Sequence, residues 1–88
     1  MRIDTAHDLS LFLREERRHA GLSQSDVAAR AGVSRRWLSD FEGGKVTAEV
    51  GLVVKVIRAL GLMMEVRPAP KPEIDLDEYL RRFAGPHD

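Results

Sequence analysis

Along the first two thirds of the chain, apolar residues recur at spacings of three and four, the period of an amphipathic helix. Leu9, Phe12 and Leu13 set the first stripe, and charged residues carry that segment on to Arg18. Thr5 stands where an N-cap belongs, Asp8 follows in the first turn, and Gly21 is a suitable stop. Val27, Ala28 and Ala31 make a second stripe. Ser23 opens it with Asp26 three residues on, the aspartate form of a capping box, and Gly32 closes it. A third helix is predicted from a Ser34 cap to about Glu42, with Leu38 and Phe41 inward and Gly43 and Gly44 at its end. A fourth is predicted over residues 48–60 from a Thr47 cap, with Leu52, Val53, Val56, Ile57 and Leu60 on its inner face. Gly51 weakens that helix by roughly 1 kcal/mol relative to alanine.

After Gly61 the period shortens to two. Leu62, Met64 and Val66 fall on one side of an extended segment, and Met63, Glu65 and Arg67 on the other. A segment this short cannot form a stable sheet alone, and no second strand-like stretch follows. The expected partner is the same segment of a second copy, antiparallel about a two-fold axis, with Glu65 and Arg67 neutralising each other across the strands. Leu62, Met63, Met64, Glu65 and Val66 are therefore the expected dimer interface. Pro68, Pro70 and Pro72 then space an extended linker. Asp75 can cap a short helix carrying Leu76, Tyr79, Leu80 and Phe83, which is marginal alone and expected to be either loosely held or ordered by a partner.

Composition adds limits. The chain has 88 residues, 43% hydrophobic and 32% charged, which fits one small folded domain. A chain of this length buries only about 60–65% of the surface its unfolded form exposes, which favours oligomerisation. Lys and Arg number 14, as do Asp and Glu. The balance is uneven: residues 1–67 hold 11 basic and 9 acidic side chains, and residues 68–88 hold 3 and 5. Long-range attraction to nucleic acid is then modest, and affinity has to come from a few placed cations. The absence of cysteine excludes disulfides, thiol catalysis and cysteine-based zinc sites, and it fits a reducing cytosol. The N-terminus lacks the apolar stretch of a secretory signal, and the longest apolar run, near residues 60–64, is far short of a membrane span. A cytoplasmic protein with no membrane partner is expected. His7, His19 and His87 lack metal-ligand spacing, nothing places Ser, His and Asp as a triad, and no glycine-rich phosphate loop occurs. No catalytic residue, metal or cofactor is expected.

The most informative stretch is QSDVAARAGVSRRWLSDFEG, residues 24–43. A helix-turn-helix needs a small residue where its two helices cross, and Ala28 supplies it. The turn needs a residue that tolerates positive φ, and Gly32 lies four residues on. Val27, Ala31, Val33, Leu38 and Phe41 occupy the positions that lock the pair onto the rest of the domain.

On these residues, with LREERRHAGLSQSDVAARAGVSRRWLSDFEGGK and the later VVKVIRALGL, the chain resembles the Xre/Cro family of helix-turn-helix domains over about residues 8–62. The resemblance implies an all-α, compact lambda-repressor-like helical bundle whose third helix enters the major groove while the second lies across it. It divides the chain into a DNA-binding domain (1–61), a dimerising β-strand (62–67) and a Pro-rich linker with an acidic amphipathic tail (68–88). Gln24 matches a glutamine that contacts phosphate, and Lys45 resembles a phosphate-contacting lysine. Ser34, Arg35 and Arg36 open the recognition helix, and arginine can bond guanine O6 and N7 bidentately. Asp40 either accepts from cytosine N4 or orients Arg36 one turn away, the second being preferred. Trp37 either packs beside the first helices or lies against the DNA backbone. Arg17 and Glu42 match a structural ion pair.

The four-helix core followed by LGLMMEV and an acidic tail looks like the HipB-type antitoxin branch. That implies a homodimer on palindromic double-stranded operator DNA that represses its own operon and neutralises a HipA-like kinase toxin. A stand-alone Xre-family regulator is the alternative. An interaction module without DNA binding is a third reading, and Gln24, Arg35, Arg36 and Lys45 argue against it.

Overall fold

The computed structural model describes residues 2–45, 47–70, 77 and 80–82. Among the described residues four helices follow in order: α1 (Ala6–His19), α2 (Gln24–Ala31), α3 (Arg35–Glu42) and α4 (Val50–Ala59). Three of them start where a hydroxyl accepts an otherwise orphaned amide. Thr5 Oγ1 accepts from the Asp8 N–H at 3.0 Å, Ser23 Oγ from Asp26 at 3.0 Å, and Ser34 Oγ from Trp37 at 3.0 Å. Asp26 returns the bond, accepting the Ser23 N–H at 2.9 Å, so the α2 capping box is complete. Each such cap stabilises its helix by about 1 kcal/mol.

The fourth helix starts later than the sequence pattern predicts. Its N-cap is Glu49, with no side-chain cap bond, and not Thr47. Glu49 is extended at φ −69° and ψ 127°, and Ala48 before it packs against the core. The approach segment thus spends its apolar side chain on docking, and helical geometry begins only at Val50.

Leu13 of α1, Val27 and Ala28 of α2, Leu38 and Phe41 of α3, and Val53, Val56 and Ile57 of α4 form one buried cluster. Burying each of the larger side chains is worth about 1.5–3 kcal/mol. Helix α2 packs against α3 and α4, and α1 packs against α3. Leu9, Phe12, Leu22, Val33, Leu60 and Leu62 close the edges. The chain leaves α1, α3 and α4 through the same reverse bond: the N–H of Leu22, Lys45 and Leu62 reaches back to the carbonyl of Arg17, Asp40 and Ile57 at 3.1, 3.1 and 3.0 Å.

Beyond Leu62 the chain runs on without helix or strand to residue 70. The strand expected over 62–67 is therefore not formed within the single chain, where no second strand is available to it among the described residues. Glu65 and Arg67 neutralise each other inside the chain, Arg67 Nε to Glu65 Oε1 at 2.9 Å and Nη2 to Oε2 at 3.0 Å. Extended backbone puts alternate residues on one side, so the pair needs no second copy. Helical geometry returns at Asp77 and residues 80–82, with Leu80 exposed. The proposed cap Asp75 and the apolar Leu76, Tyr79 and Phe83 lie outside the described residues. No helix among the described residues is long and apolar enough to cross a membrane.

Candidate nucleic-acid interface

The α2–α3 pair is built around one tight turn. Gly32 ends α2 at φ 72° and ψ 35°, a left-handed conformation that side chains resist, and the Val33 N–H returns to the Ala28 carbonyl at 3.0 Å. Ala28 itself is buried, leaving room for the crossing helix. Ser34 then caps α3 immediately, so Arg35 and Arg36 occupy its first turn.

Helix α3 is sharply two-faced. Leu38, Phe41 and Glu42 are buried, whereas Arg35, Arg36, Ser39 and Asp40 form a continuous exposed arc. Residues three and four apart share a side of a helix, so this arc is a single polar ridge with two guanidinium groups at its start. Asp40 is not within ion-pair distance of Arg36, whereas Arg2, Arg17, Arg18 and Arg67 pair with Asp4, Glu42, Glu15 and Glu65. Trp37 is half-buried against the core and stacks on Phe41, with ring centroids 5.4 Å apart and planes 6° from parallel. Trp37, Asp40, Lys45 and Glu49 border a shallow cleft of about 220 Å³. Lys45 is exposed, and its backbone is tied to α3 through the bond to Asp40.

Behind this ridge lies a buried ion pair. Arg17 Nε donates to Glu42 Oε2 at 2.7 Å and Nη2 to Oε1 at 2.8 Å, while Nη1 donates to the Leu22 carbonyl at 2.8 Å. The two side chains are only 11% and 5% exposed. Gln24 joins them, its amide nitrogen donating to Glu42 Oε1 at 3.2 Å. Burial alone would push the Glu42 carboxyl up. The hydrogen bonds from Arg17 and Gln24, with the Arg17 and Arg14 charges, outweigh burial and hold its pKa below the ordinary value. The bond to Glu42 raises the Arg17 pKa in turn.

The structure thus groups the residues singled out in the sequence into three places. Ser34, Arg35, Arg36 and Asp40 lie on the α3 ridge, Trp37 and Lys45 at its cleft, and Gln24, Arg17 and Glu42 in the network beneath. Met63, Met64 and Val66 stand apart from all three and are 86%, 51% and 89% exposed. Two contacts were not legible in the sequence. Gln24 bonds a carboxylate on another helix, and the ring of His7, in the first turn of α1, lies against Gly44.

A capped helix, a left-handed glycine and a second capped helix with a cationic outer ridge define a helix-turn-helix domain. The helix-turn-helix domain family matches residues 8–69, and the chain belongs to it. It is 37% identical over 65 residues to an uncharacterized HTH-type transcriptional regulator, y4mF, of Sinorhizobium fredii, a match that covers 74% of this chain and 86% of that one. An uncharacterized HTH-type transcriptional regulator of Methanothermobacter thermautotrophicus is 37% identical over 50 residues, 57% of this chain and 72% of that one. Among solved structures, a chain of the HipB-O4 20mer complex superposes with a TM-score of 0.75 at 23% identity, covering 80% of this chain and 99% of that one. A chain of the HipA-HipB-O2-O3 complex does so with a TM-score of 0.75 at 21% identity, covering 80% and 99%. This chain therefore shares its fold with HipB.

Proposed function

We propose that this chain is a dimeric, sequence-specific transcriptional repressor that lays α3 in the major groove of a palindromic operator. The exposed ridge of Arg35, Arg36, Ser39 and Asp40 on an otherwise buried helix carries this reading. Arg35 and Arg36 read base edges, Asp40 lines the same groove, and Ser34, Gln24 and Lys45 meet phosphates, with the amide ends of α2 and α3 aimed at the backbone. Trp37 flanks the ridge beside Lys45. Residues 62–67 pair with their two-fold mate, which spaces two half-sites about one helical turn, roughly 34 Å, apart. The exposure of Met63, Met64 and Val66 supports that pairing.

The finer reading is an antitoxin that represses its own operon and binds a HipA-like kinase toxin. It is supported by the shared fold with HipB, including the chain in the HipA-HipB-O2-O3 complex. The tail beyond residue 67, with Leu80 exposed, is the segment available for such a partner. The relatives at 37% identity are named HTH-type transcriptional regulators, which fits this reading and equally the alternative of a stand-alone regulator without a toxin partner.

Two measurements test these readings. Sedimentation of Met64→Pro should show monomers, because proline removes a donor from the strand ladder; a fully dimeric variant overturns the pairing. A kinase-like protein encoded beside this chain should co-purify with the full chain and not with residues 1–67. If neither captures such a protein, the antitoxin reading falls and the stand-alone regulator remains.

A further inference from the structure

Lys45 sits directly after Gly44, and Gly44 is where the first turn of α1 meets the turn that follows α3. The glycine adopts φ 95°, and a methyl group placed on it would lie 3.3 Å from His7 Nδ1 and 3.6 Å from His7 Cε1. The imidazole edge of His7 therefore borders the position that a side chain at Gly44 would take. On its other side the turn is held by α3, with the Gly44 N–H bonded to the Phe41 carbonyl at 3.0 Å and the Lys45 N–H to Asp40 at 3.1 Å. The backbone of His7 is well fixed. Ser10, 2% exposed, donates its hydroxyl to the His7 carbonyl at 2.8 Å, and the Thr5 cap closes the same turn of α1.

We infer that His7 is a positioning residue for DNA binding, which holds the Gly44 turn and thereby the Lys45 ammonium at its phosphate. The inference rests on the reading of Lys45 as a phosphate contact. A glycine at this point does two things: it accepts the positive φ, and it leaves room for the neighbouring ring. The ring then supplies the side of the turn that α3 cannot reach. Without it, the turn is held from one side only, and the Lys45 cation spreads over more positions in the field of the DNA backbone.

The test is a set of four proteins, wild type, His7→Ala, Lys45→Ala and the double variant, titrated with two unrelated duplexes over a range of salt. His7→Ala should melt with wild-type stability, since the ring is exposed. It should bind both duplexes roughly 2–5-fold more weakly, the scale of one exposed ionic contact, with a shallower dependence on salt. In the Lys45→Ala background the same change should cost nothing further. His7→Phe, which keeps a flat ring without its nitrogens, should bind as the wild type does. A His7→Ala protein of unchanged affinity, a loss that adds in full to that of Lys45→Ala, or a His7→Phe protein as weak as His7→Ala overturns the proposal and leaves the role of Lys45 standing. A silent Lys45→Ala overturns both.

Discussion

Arg17 and Glu42 meet through two parallel hydrogen bonds of 2.7 and 2.8 Å, joining the last turn of α1 to the last residue of α3. Removing one partner of such a buried pair strands the other charge, which costs about 3–5 kcal/mol. Arg17→Ala should therefore lower the unfolding free energy by that amount in a urea titration. Replacing both residues with apolar ones of similar volume should cost much less.

The same pair sets an acid limit. The folded Glu42 carboxyl titrates below its ordinary value, whereas the unfolded one takes up its proton near pH 4.3, roughly. The stabilisation is complete above that pH and is lost as pH falls through the folded pKa. Melting temperature should hold steady from neutral pH to about pH 5 and decline below about pH 4, with a smaller decline in Glu42→Gln. A Glu42→Gln protein with an unaltered acid profile would place the acid sensitivity elsewhere.

Arg35 and Arg36 are exposed and bonded to nothing that folding needs. Alanine at either position should leave the melting temperature unchanged and cost roughly 1–3 kcal/mol in operator binding, with relaxed preference at one base position. Unchanged operator affinity in both variants would remove the base-reading assignment.

Lys45 should behave differently. Lys45→Ala should weaken binding to every duplex alike and reduce the slope of log affinity against log salt by about 0.9 for each subunit bound. A loss confined to one operator sequence would mean that the lysine reads bases.

Gly32→Ala isolates a backbone cost. Nothing lies within 4 Å of the added methyl, so only the left-handed φ of 72° resists it. The variant should lose about 1–2 kcal/mol in urea and keep its fold.

The starts of α1, α2 and α3 were legible in the sequence because a cap is a local event. Thr5, Ser23 and Ser34 each bond an amide three residues on, and no distant residue competes. The start of α4 was misread because Ala48 obeys the core and not its neighbours, so Thr47 has no helical amide to accept. The α3 ridge was legible from Leu38 and Phe41, which leave Arg35 and Arg36 no inward position. The partner of Gln24 was not, because Glu42 comes within 3.2 Å only after α2 and α3 have docked. His7 was invisible for the same reason, its contact lying across the fold at Gly44. The segment 62–67 carries a period that describes a pairing, and a single chain cannot display one.

Helix α4 is the one helix of the four that begins without a side-chain acceptor. Its first amides, at Val50 and Gly51, close the stretch that leads on from Lys45. Deuterium should enter the backbone there sooner than in the first turns of α1, α2 and α3. A duplex that engages Lys45 should slow that uptake, so tightening at the DNA surface would be read out as a kinetic isotope signal one helix away from the bases.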